Sequence, residues 1–406
     1  MGSVSHLAAV ALVGSAAVGI ALLILHVLVL RAHLRGARAV PHTRPGISIL
    51  KPLCGLDDRL LQNLSTFANL PYPDYEVLLG VRDARDAAYP TALAVARHWP
   101  RRFRVVLQRG EPGLNPKVNQ LVTLARAARH ELLVISDSNT RVPATYLDEI
   151  AALLADDGVG LVTHPVVGQG DDQWGARLGS ALDNMHISGS ITPALTAAKA
   201  LFGKDYVVGK SMAMRAADVR ALGGFTAVKD VLAEDFVLGR MIPEKLGKRV
   251  VLARSVVRCV SLRRTVRDFV RRYARWSVMQ HQCAGLPAYL GMLLLNPMLL
   301  ATAALALEPG RVTAEGWLAC ALVRAALDAG SGRVLRGRSF AAWALLATPF
   351  KDLLAAWAWL YGLTHRSIVW RSHRLTVLRG SVLRAGTPAL FPAPEESEAD
   401  RATAVA

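Results

Sequence analysis

The chain has 406 residues, enough for one large domain or two smaller ones, and 52% of them are apolar. Its mean hydropathy of +0.29 is high for a purely soluble protein. The net charge of +17 does not indicate nucleic-acid binding, because the arginines concentrate near apolar segments and in 263–275. Anionic lipid head groups and a diphosphate explain that charge more simply. The four cysteines, Cys54, Cys259, Cys283 and Cys320, are far apart in the sequence. This spacing lacks the close pairs typical of metal sites and indicates inert thiols in a reducing compartment.

The N-terminal segment predicts a membrane anchor. Residues 7–30 form an apolar run without formal charge, long enough to cross a hydrocarbon core of ~30 Å. The competing interpretation is a signal peptide, whose apolar region normally has only ~7–15 residues and ends at a small-residue cleavage site. This run instead ends in Arg31, Arg35 and Arg38. We therefore predict a transmembrane anchor over 1–38, and the positive-inside rule places the following domain in the cytoplasm.

Short β-rich runs alternate with helical stretches from Ile47 onward. The predicted strands are 47–50, 75–81, 104–108, 132–136 and 160–164. Helices are predicted between them at 58–69, 86–98 and 117–129, and a longer helical stretch is predicted around 173–202. This alternation predicts an α/β domain with a mostly parallel sheet over 39–265.

The C-terminal part predicts membrane helices. A basic amphipathic helix is expected over 266–285 and a membrane region over 286–380, with apolar runs at 286–307, 312–328 and 340–363. Pro349, Lys351 and Asp352 interrupt the last run. Three full crossings would leave the arginine-rich tail outside, against the positive-inside rule, so we expect one run to be re-entrant or interfacial. The tail arginines are Arg366, Arg371, Arg374 and Arg379. Residues 381–406 are predicted to be a disordered tail, acidic from 391.

Two acidic motifs follow predicted strands directly. Asp83 follows 75–81, while Asp137 and Asn139 follow 132–136 at a spacing of two. Because ligands of open α/β sheets lie outside the carboxyl ends of the strands, Asp83 and Asp137 should face the same crevice. Asp83 can accept hydrogen bonds from a base or ribose, although a turn or cap is the commoner role of such an Asp. Asp137 and Asn139 can share a divalent cation, or form an Asx turn and a helix cap.

Two further clusters lie later in the chain. Glu234 and Asp235 form an acidic pair in an apolar stretch, where a partly desolvated Asp can serve as general base. The alternative is a helix start at which the helix dipole favours acids. Arg272 and Arg275 lie three residues apart on one helix face, next to Trp276. Guanidinium groups suit a leaving diphosphate and an indole suits a sugar or lipid face, whereas a basic juxtamembrane helix is the alternative.

The ordered set of clusters resembles the inverting glycosyltransferases with a GT-A fold, and among them the ceramide glucosyltransferases (family 21, related to family 2). Their pattern is an Asp after a strand, a DxD-like turn, a Glu-Asp pair and an RxxRW helix. The resemblance covers most of residues 1–380 and extends to 49–55, 115–119, 209–212, 369–371 and 374–375. Asn139 departs from the pattern, because a strict motif has a second Asp there. Residues 185–204, where acceptor recognition should lie, match poorly.

The resemblance implies a Rossmann-like GT-A domain in the cytosol, flanked by an N-terminal transmembrane helix and C-terminal membrane helices. It implies that Asp83 contacts the uracil base or ribose and that Asp137, with or without Asn139, holds Mg²⁺ or Mn²⁺ against the diphosphate. Asp235 would take the acceptor proton. The remaining implied positions are Pro52, Lys117, Asn119 and Arg272 near the nucleotide, and Arg275 and Trp276 at the diphosphate and acceptor end.

The resemblance thus predicts transfer of glucose from UDP-glucose to the primary hydroxyl of ceramide, giving β-glucosylceramide. A GlcNAc or galactose donor and a hopanoid or diacylglycerol acceptor stay open. A processive polysaccharide synthase is disfavoured, since two or three short spans offer little for a channel. A non-catalytic membrane protein that binds lipid or nucleotide is disfavoured because all three Asp positions are present. The expected partners are a UDP-sugar, a lipid acceptor and membrane lipids, without nucleic acid. The expected location is a bacterial inner membrane, with the catalytic domain facing the cytoplasm.

Overall fold

A computed structural model gives the fold of this chain and describes residues 2–170, 177–370 and 373–385. Its first element is the apolar helix α1 (Gly2–Arg35). Within the described ranges, Val4–Arg35 is the one single helix long and apolar enough to cross a membrane. Several of its large side chains, including Val10 and Leu28, are exposed. The predicted anchor is therefore a helix of sufficient length, and its insertion into a membrane stays a prediction.

A seven-stranded sheet forms the centre of the following domain. Its strands are β1 (Ile47–Pro52), β2 (Tyr75–Val81), β3 (Phe103–Leu107), β4 (Leu132–Ser136), β6 (Val159–Thr163), β8 (Ser211–Arg215) and β9 (Arg249–Leu252). They lie in the order β3-β2-β1-β4-β8-β6-β9. Only β8 runs antiparallel to its neighbours, so the predicted α/β class with a mostly parallel sheet is confirmed. A smaller sheet contains β5 (Thr140–Arg141), β10 (Val257–Val260) and β7 (Val166–Gln169). The five predicted strands all occur, two of them shifted by one residue.

Two hydrophobic cores sandwich the large sheet. Alternate side chains of a strand point to opposite faces, so Ile49 packs in one core and Leu50 in the other. The first core includes residues of α2 (Leu60–Ser65), α3 (Tyr89–His98) and α5 (Tyr146–Leu154). The second includes residues of α4 (Pro116–Ala127), α8 (Ala216–Ala221), the 3₁₀ turn Phe225–Val228 and α9 (Glu234–Leu246). Coverage of both faces explains why β1, β2 and β4 are almost continuous apolar runs.

A long helical stretch contacts both the sheet region and the apolar helices. The segments α6 (Leu178–His186) and α7 (Thr192–Phe202) are joined by the π-helical turn Ile187–Ile191. This agrees with the helix predicted around 173–202, of which 173–176 lie outside the described residues. Because α7 packs on α1, the stretch stands between the α/β domain and the predicted anchor.

The C-terminal region begins with α10 (Val266–Ala284), the predicted amphipathic helix, whose start is fixed by a capping box between Thr265 and Asp268. The following helices are α11 (Leu286–Gly291), the 3₁₀ turn Met292–Leu295, α12 (Pro297–Leu307), α13 (Arg311–Arg336), α14 (Ala342–Leu346) and α15 (Thr348–Thr364). Leu286–Leu295 and Pro297–Leu307 would together be apolar enough for a span, but they meet at a 77° bend. The re-entrant or interfacial run stays a prediction.

Charged residues within the apolar runs are paired. Lys351 and Asp352, which interrupt the third run, lie buried on α15. Lys351 Nζ is 2.7 Å from Asp328 Oδ2 of α13, and Arg324 Nε is 2.7 Å from Asp352 Oδ2. These pairs explain how four charges are tolerated between apolar helices, because buried charges require a partner.

The predicted boundary of the disordered tail at 381 is wrong. A small sheet of β11 (Ser367–Trp370), β12 (His373–Val377) and β13 (Leu383–Ala385) extends past it, after the turn Arg379–Ser381. Leu383 N donates to Asp230 O at 2.7 Å, and Ser381 O accepts from Leu232 N at 2.8 Å. Pairing with the chain just before α9 therefore orders 381–385. Arg371 and residues 386–406, including the predicted acidic tail, lie outside the described residues.

Glu149 is a buried carboxylate that fixes the turn between β9 and β10. Its two oxygens accept from Arg254 N at 2.7 Å and Ser255 N at 2.8 Å. We expect Glu149→Ala to lower the free energy of unfolding, because each buried donor left without a partner costs about 1–3 kcal/mol. Thermal unfolding in detergent checks this. The control is Glu244→Ala, which removes an exposed acid paired with Arg240 one turn away. Equal midpoints for both variants would contradict the role of Glu149.

Candidate active site

A cavity of about 900 Å³ lies at the carboxyl ends of β1 and β4. Pro52, the last residue of β1, and Asp137, the first residue after β4, both line it. Its other walls come from α1, the helical stretch 178–202, α9, α10, α12 and α15. The cavity therefore lies where an open α/β sheet binds its ligand and extends toward the apolar helices.

The structure brings most predicted site residues together in this cavity. Those that line it are Pro52, Lys117, Asp137, Asn139, Asp235, Arg272, Arg275 and Trp276. Asp83 and Asn119 are not among the described residues that line it. Asp83 Oδ1 accepts from Arg85 N at 2.8 Å, which is the alternative turn role. Asn119 bonds both polar groups of Gly113 and shapes the loop before α4. That Asp83 and Asp137 face one crevice stays a prediction.

Asp137 is held between two lysines. Its Oδ1 lies 3.0 Å from Lys117 Nζ and its Oδ2 lies 2.9 Å from Lys210 Nζ. Lys117 Nζ is also 2.8 Å from Glu234 Oε1, so it joins the turn after β4 to the start of α9. Burial alone would raise the pKa of Asp137, but the two ammonium groups outweigh burial and hold that pKa well below its usual range. The Asp137 side chain is therefore ionised throughout the physiological range.

The sequence around Lys117 places it by standard helix chemistry. Asn115 caps α4 by accepting from Lys117 N and Val118 N, and Pro116 occupies the first helical position. Asn115 Nδ2 also donates to Val231 O at 2.7 Å, which fixes α4 against the segment before α9.

Behind the cavity, buried Lys51 supports the turn that carries Asp137. Its Nζ donates to Asp137 O at 2.9 Å and to Ser136 Oγ at 3.1 Å. Burial lowers the pKa of Lys51 to about 7.

Asp235 stands at the first turn of α9 with both carboxylate oxygens engaged. Gly209 N donates to Oδ2 at 2.6 Å and Phe236 N donates to Oδ1 at 2.8 Å. A Cβ on Gly209 would lie 2.8 Å from that same Oδ2, so a larger residue there would push the Asp235 carboxylate out of its position. Burial, followed by the neighbouring charge of Glu234, raises the pKa of Asp235 to about 6. This is a suitable pKa for a base that works near neutral pH.

Arg272 is anchored away from the lysine cluster. Its Nη1 lies 3.1 Å from Asp183 Oδ2, and Tyr273 Oη donates to Asp183 Oδ1 at 2.9 Å. Asp183 is fully buried on α6, and the Arg272 guanidinium lies 5.0 Å from the centroid of the Trp276 ring. The RxxRW helix is thus held to the helical stretch 178–202 by an ion pair.

The oxygens of the DxD-like turn fit a cation. Asp137 Oδ2 and Asn139 Oδ1 both lie 2.9 Å from Lys210 Nζ, so two oxygens converge on one positive centre. Mg²⁺ is commonly held by one or two carboxylates together with substrate phosphates. Within the described part of the chain, no group of three or more His, Cys, Asp or Glu side chains forms a metal site by itself. A divalent cation here would need diphosphate oxygens, and its ligation by Asp137 and Asn139 stays a prediction.

Sequence reasoning missed two features. Lys210 lies in the matched segment 209–212 but was given no role. Its position next to the motif residue Gly209 could have indicated a role in the site. The apolar end of the cavity was not predicted in detail. Its lining includes Leu23, Ile191, Leu195, Phe202, Leu299 and Trp359. Several of these lie in 185–204, where acceptor recognition was expected.

Comparisons with known proteins agree with the resemblance. The family described as Glycosyl transferase family 21 matches residues 9–383. Ceramide glucosyltransferase 1 of Caenorhabditis elegans is 28% identical over 236 residues, which are 58% of this chain and 49% of that protein. Ceramide glucosyltransferase 3 of the same organism is 26% identical over 57% of this chain and 50% of its own length. The chain thus spans about half the length of the curated relatives it matches.

Among solved structures, the mannosyltransferase PcManGT from Pyrobaculum calidifontis, in complex with GDP-Man and Mn²⁺, is 18% identical with a TM-score of 0.46. The likeness covers 88% of this chain and 99% of that one.

Asp183 offers a direct test of the anchor for the RxxRW helix. We expect Asp183→Asn to destabilise the protein by about 3 kcal/mol, because it leaves the buried Arg272 charge without its ionic partner. Thermal unfolding in detergent measures the loss. The matched control is Asp157→Asn at a fully exposed side chain, where little change is expected. If the two variants unfold alike, Arg272 does not depend on Asp183.

Proposed function

The chain belongs to glycosyltransferase family 21, and from this we propose that it transfers glucose from UDP-glucose to the primary hydroxyl of ceramide, giving β-glucosylceramide. One observation carries the proposal: a single cavity has a charged end at Asp137 and Lys117 and an apolar end at Leu299 and Trp359. Such a cavity suits a charged donor and a lipid acceptor at the same time. The names of the C. elegans relatives support the choice of ceramide.

The charged end suits the diphosphate of a nucleotide-sugar. Lys117 and Lys210 are balanced by Asp137 and Glu234, so an added diphosphate needs further positive charge. Arg272 and Arg275 line the same cavity, and guanidinium groups suit phosphate oxygens. Asp137 and Asn139 would hold Mg²⁺ or Mn²⁺, which when bound supplies positive charge to the diphosphate. The predicted nucleotide contacts of Asp83, Pro52 and Asn119 belong to this proposal too.

Asp235 is the proposed general base. The acceptor hydroxyl gives its proton to Asp235 as its oxygen attacks the anomeric carbon and the bond from that carbon to the UDP oxygen breaks. One base without a second nucleophile implies inversion, so an α-linked donor gives a β-glycoside. A positioned general base typically raises the reaction rate by ~10²–10⁴-fold. A well-placed donor to the departing oxyanion contributes ~3–4 kcal/mol, a role we assign to Arg275.

The apolar end suits the acceptor chains. Its walls come from the predicted anchor α1 and from α7, α12 and α15, and Trp276 lines the same cavity. With α1 crossing an inner membrane and Arg31, Arg35 and Arg38 on the cytoplasmic side, a lipid would enter from the bilayer and the donor from the cytosol.

The first experiment offers the detergent-purified protein UDP-glucose, UDP-galactose and UDP-GlcNAc with ceramide, diacylglycerol and a hopanoid. Released UDP and glycolipid are followed in parallel. We expect glucosylceramide from the wild type and a rate at least ~10²-fold lower from Asp235→Asn. The control is Glu244→Gln, an exposed acid on the same helix, which should keep full activity.

Each other outcome changes a stated part of the proposal. Turnover with another lipid or sugar alone would move the substrate assignment and keep the base. UDP release without acceptor would indicate donor hydrolysis. UDP binding without turnover for any pair would favour the non-catalytic binding protein.

The pKa of Asp235 sets the acid limb of the pH profile. Because only the ionised carboxylate accepts a proton, kcat/KM should fall about tenfold per pH unit below pH 6 and level off above it. Initial rates between pH 4.5 and 8, on protein verified as folded at each pH, measure this. The range extends roughly 1.5 pH units below the pKa and roughly 2 above it. The residual activity of Asp235→Asn should lack that limb, and an unchanged limb in this variant would assign it to another group.

A further inference from the structure

We propose that Lys210 is a resident cation: its ammonium group holds the position between Asp137 and Asn139 while no donor is bound, so that a divalent metal binds well only together with the nucleotide diphosphate. This inference rests on the proposed nucleotide-sugar site and deepens it. It concerns the order and coupling of metal and donor binding.

The first support is the position of the ammonium group. Lys210 Nζ lies 2.9 Å from Asp137 Oδ2 and 2.9 Å from Asn139 Oδ1, the two oxygens expected to hold the metal. The second carboxylate oxygen of Asp137 faces Lys117 Nζ at 3.0 Å. A metal would bind these oxygens at about 2.0–2.1 Å, so Lys210 and the metal cannot use the same lone pairs at once.

The second support is that the backbone fixes Lys210 there. β8 pairs antiparallel with β4, and Ser211 lies opposite Ser136. The preceding residue, Lys210, is thus opposite the residue that follows Ser136, and Asp137 N donates to Lys210 O at 3.4 Å. The lysine side chain is 15% exposed. The register of β4 and β8 places Lys210 beside Asp137, whereas a long side chain on the surface could take many positions.

The third support is the charge balance. The ammonium groups of Lys117 and Lys210 contact the carboxylates of Asp137 and Glu234, and Asp235 adds a third acidic group beside Lys117. A divalent metal that enters alone would add two positive charges beside these lysines, which is unfavourable in a partly buried site. A metal that enters with a diphosphate adds little net charge, and the phosphate oxygens offer the displaced Lys210 a new partner. Metal and nucleotide should therefore bind with positive coupling.

The test measures Mn²⁺ binding to detergent-purified protein by the loss of the free-ion EPR signal, with and without UDP. The signal lost to the Mn²⁺–UDP complex in protein-free solution is measured separately and subtracted. For the wild type we expect weak binding that UDP strengthens about tenfold or more. Lys210→Gln should bind Mn²⁺ about tenfold more tightly than the wild type without nucleotide, and UDP should strengthen its binding less. Lys210→Arg keeps the charge and should retain weak nucleotide-free binding. Thermal midpoints verify that each variant is folded.

Two controls complete the design. Lys204→Gln removes an exposed lysine and should match the wild type. Asp137→Asn removes the carboxylate and should abolish Mn²⁺ binding under both conditions. Nucleotide-free affinity of Lys210→Gln equal to or below that of the wild type would overturn the inference, as would absence of Mn²⁺ binding in all variants. Failure of the wild type to bind UDP would sink the proposed function instead, while the nucleotide-free comparison would still decide the role of Lys210.

Discussion

The antiparallel pairing of β8 with β4 is the constraint on which the candidate site depends. The loop entering β8 carries Gly209 and Lys210, and the turn leaving β4 carries Asp137 and Asn139. Because the two strands run in opposite directions, the entry of one lies beside the exit of the other. The same loop also presents Gly209 N to Asp235. One antiparallel strand in an otherwise parallel sheet thus brings the Lys210 ammonium group, the Asp137 carboxylate and the proposed base Asp235 together where β4 ends and β8 begins.

Lys117 ties this edge to the helices that follow. It contacts Asp137 and Glu234 and donates to Gly209 O at 3.0 Å, so the turn after β4, the start of α9 and the loop before β8 share one ammonium group. Buried ion pairs contribute little net stability, since desolvation offsets their attraction. These pairs instead fix the positions of the segments that carry them, because any arrangement that separates one pair leaves a buried charge without its partner. A polar network of this kind favours one arrangement of three chain segments.

Much of the fold could be predicted because local patterns agree with it. The apolar runs of β1, β2 and β4 and the capping sequence of α4 are read from adjacent residues. Contacts between distant segments could not be read in this way. The placement of Lys210 depends on a strand pairing across about 75 positions of the chain. For Asp83, the sequence predicts the position at the end of a strand but not the partner of the side chain. The structure shows that this carboxylate accepts from the nearby Arg85 N. Order at 381–385 arises from pairing with β12 and with the chain before α9, and the second of these partners is distant in sequence.

That late pairing also bears on how the protein is made. Ala233 N, at the entrance to α9, donates to Ser381 Oγ at 2.9 Å, so the support of the acid pair comes from a segment synthesised long after it. Chains grow at about 5–20 residues per second and fold from their N-terminal side first. A nascent or prematurely terminated chain can therefore form its sheet and still lack this support beneath Glu234 and Asp235. A chain that stops before residue 381 would thus lack the hydrogen bond from Ala233 N to Ser381 Oγ at the entrance to α9, even with its sheet complete.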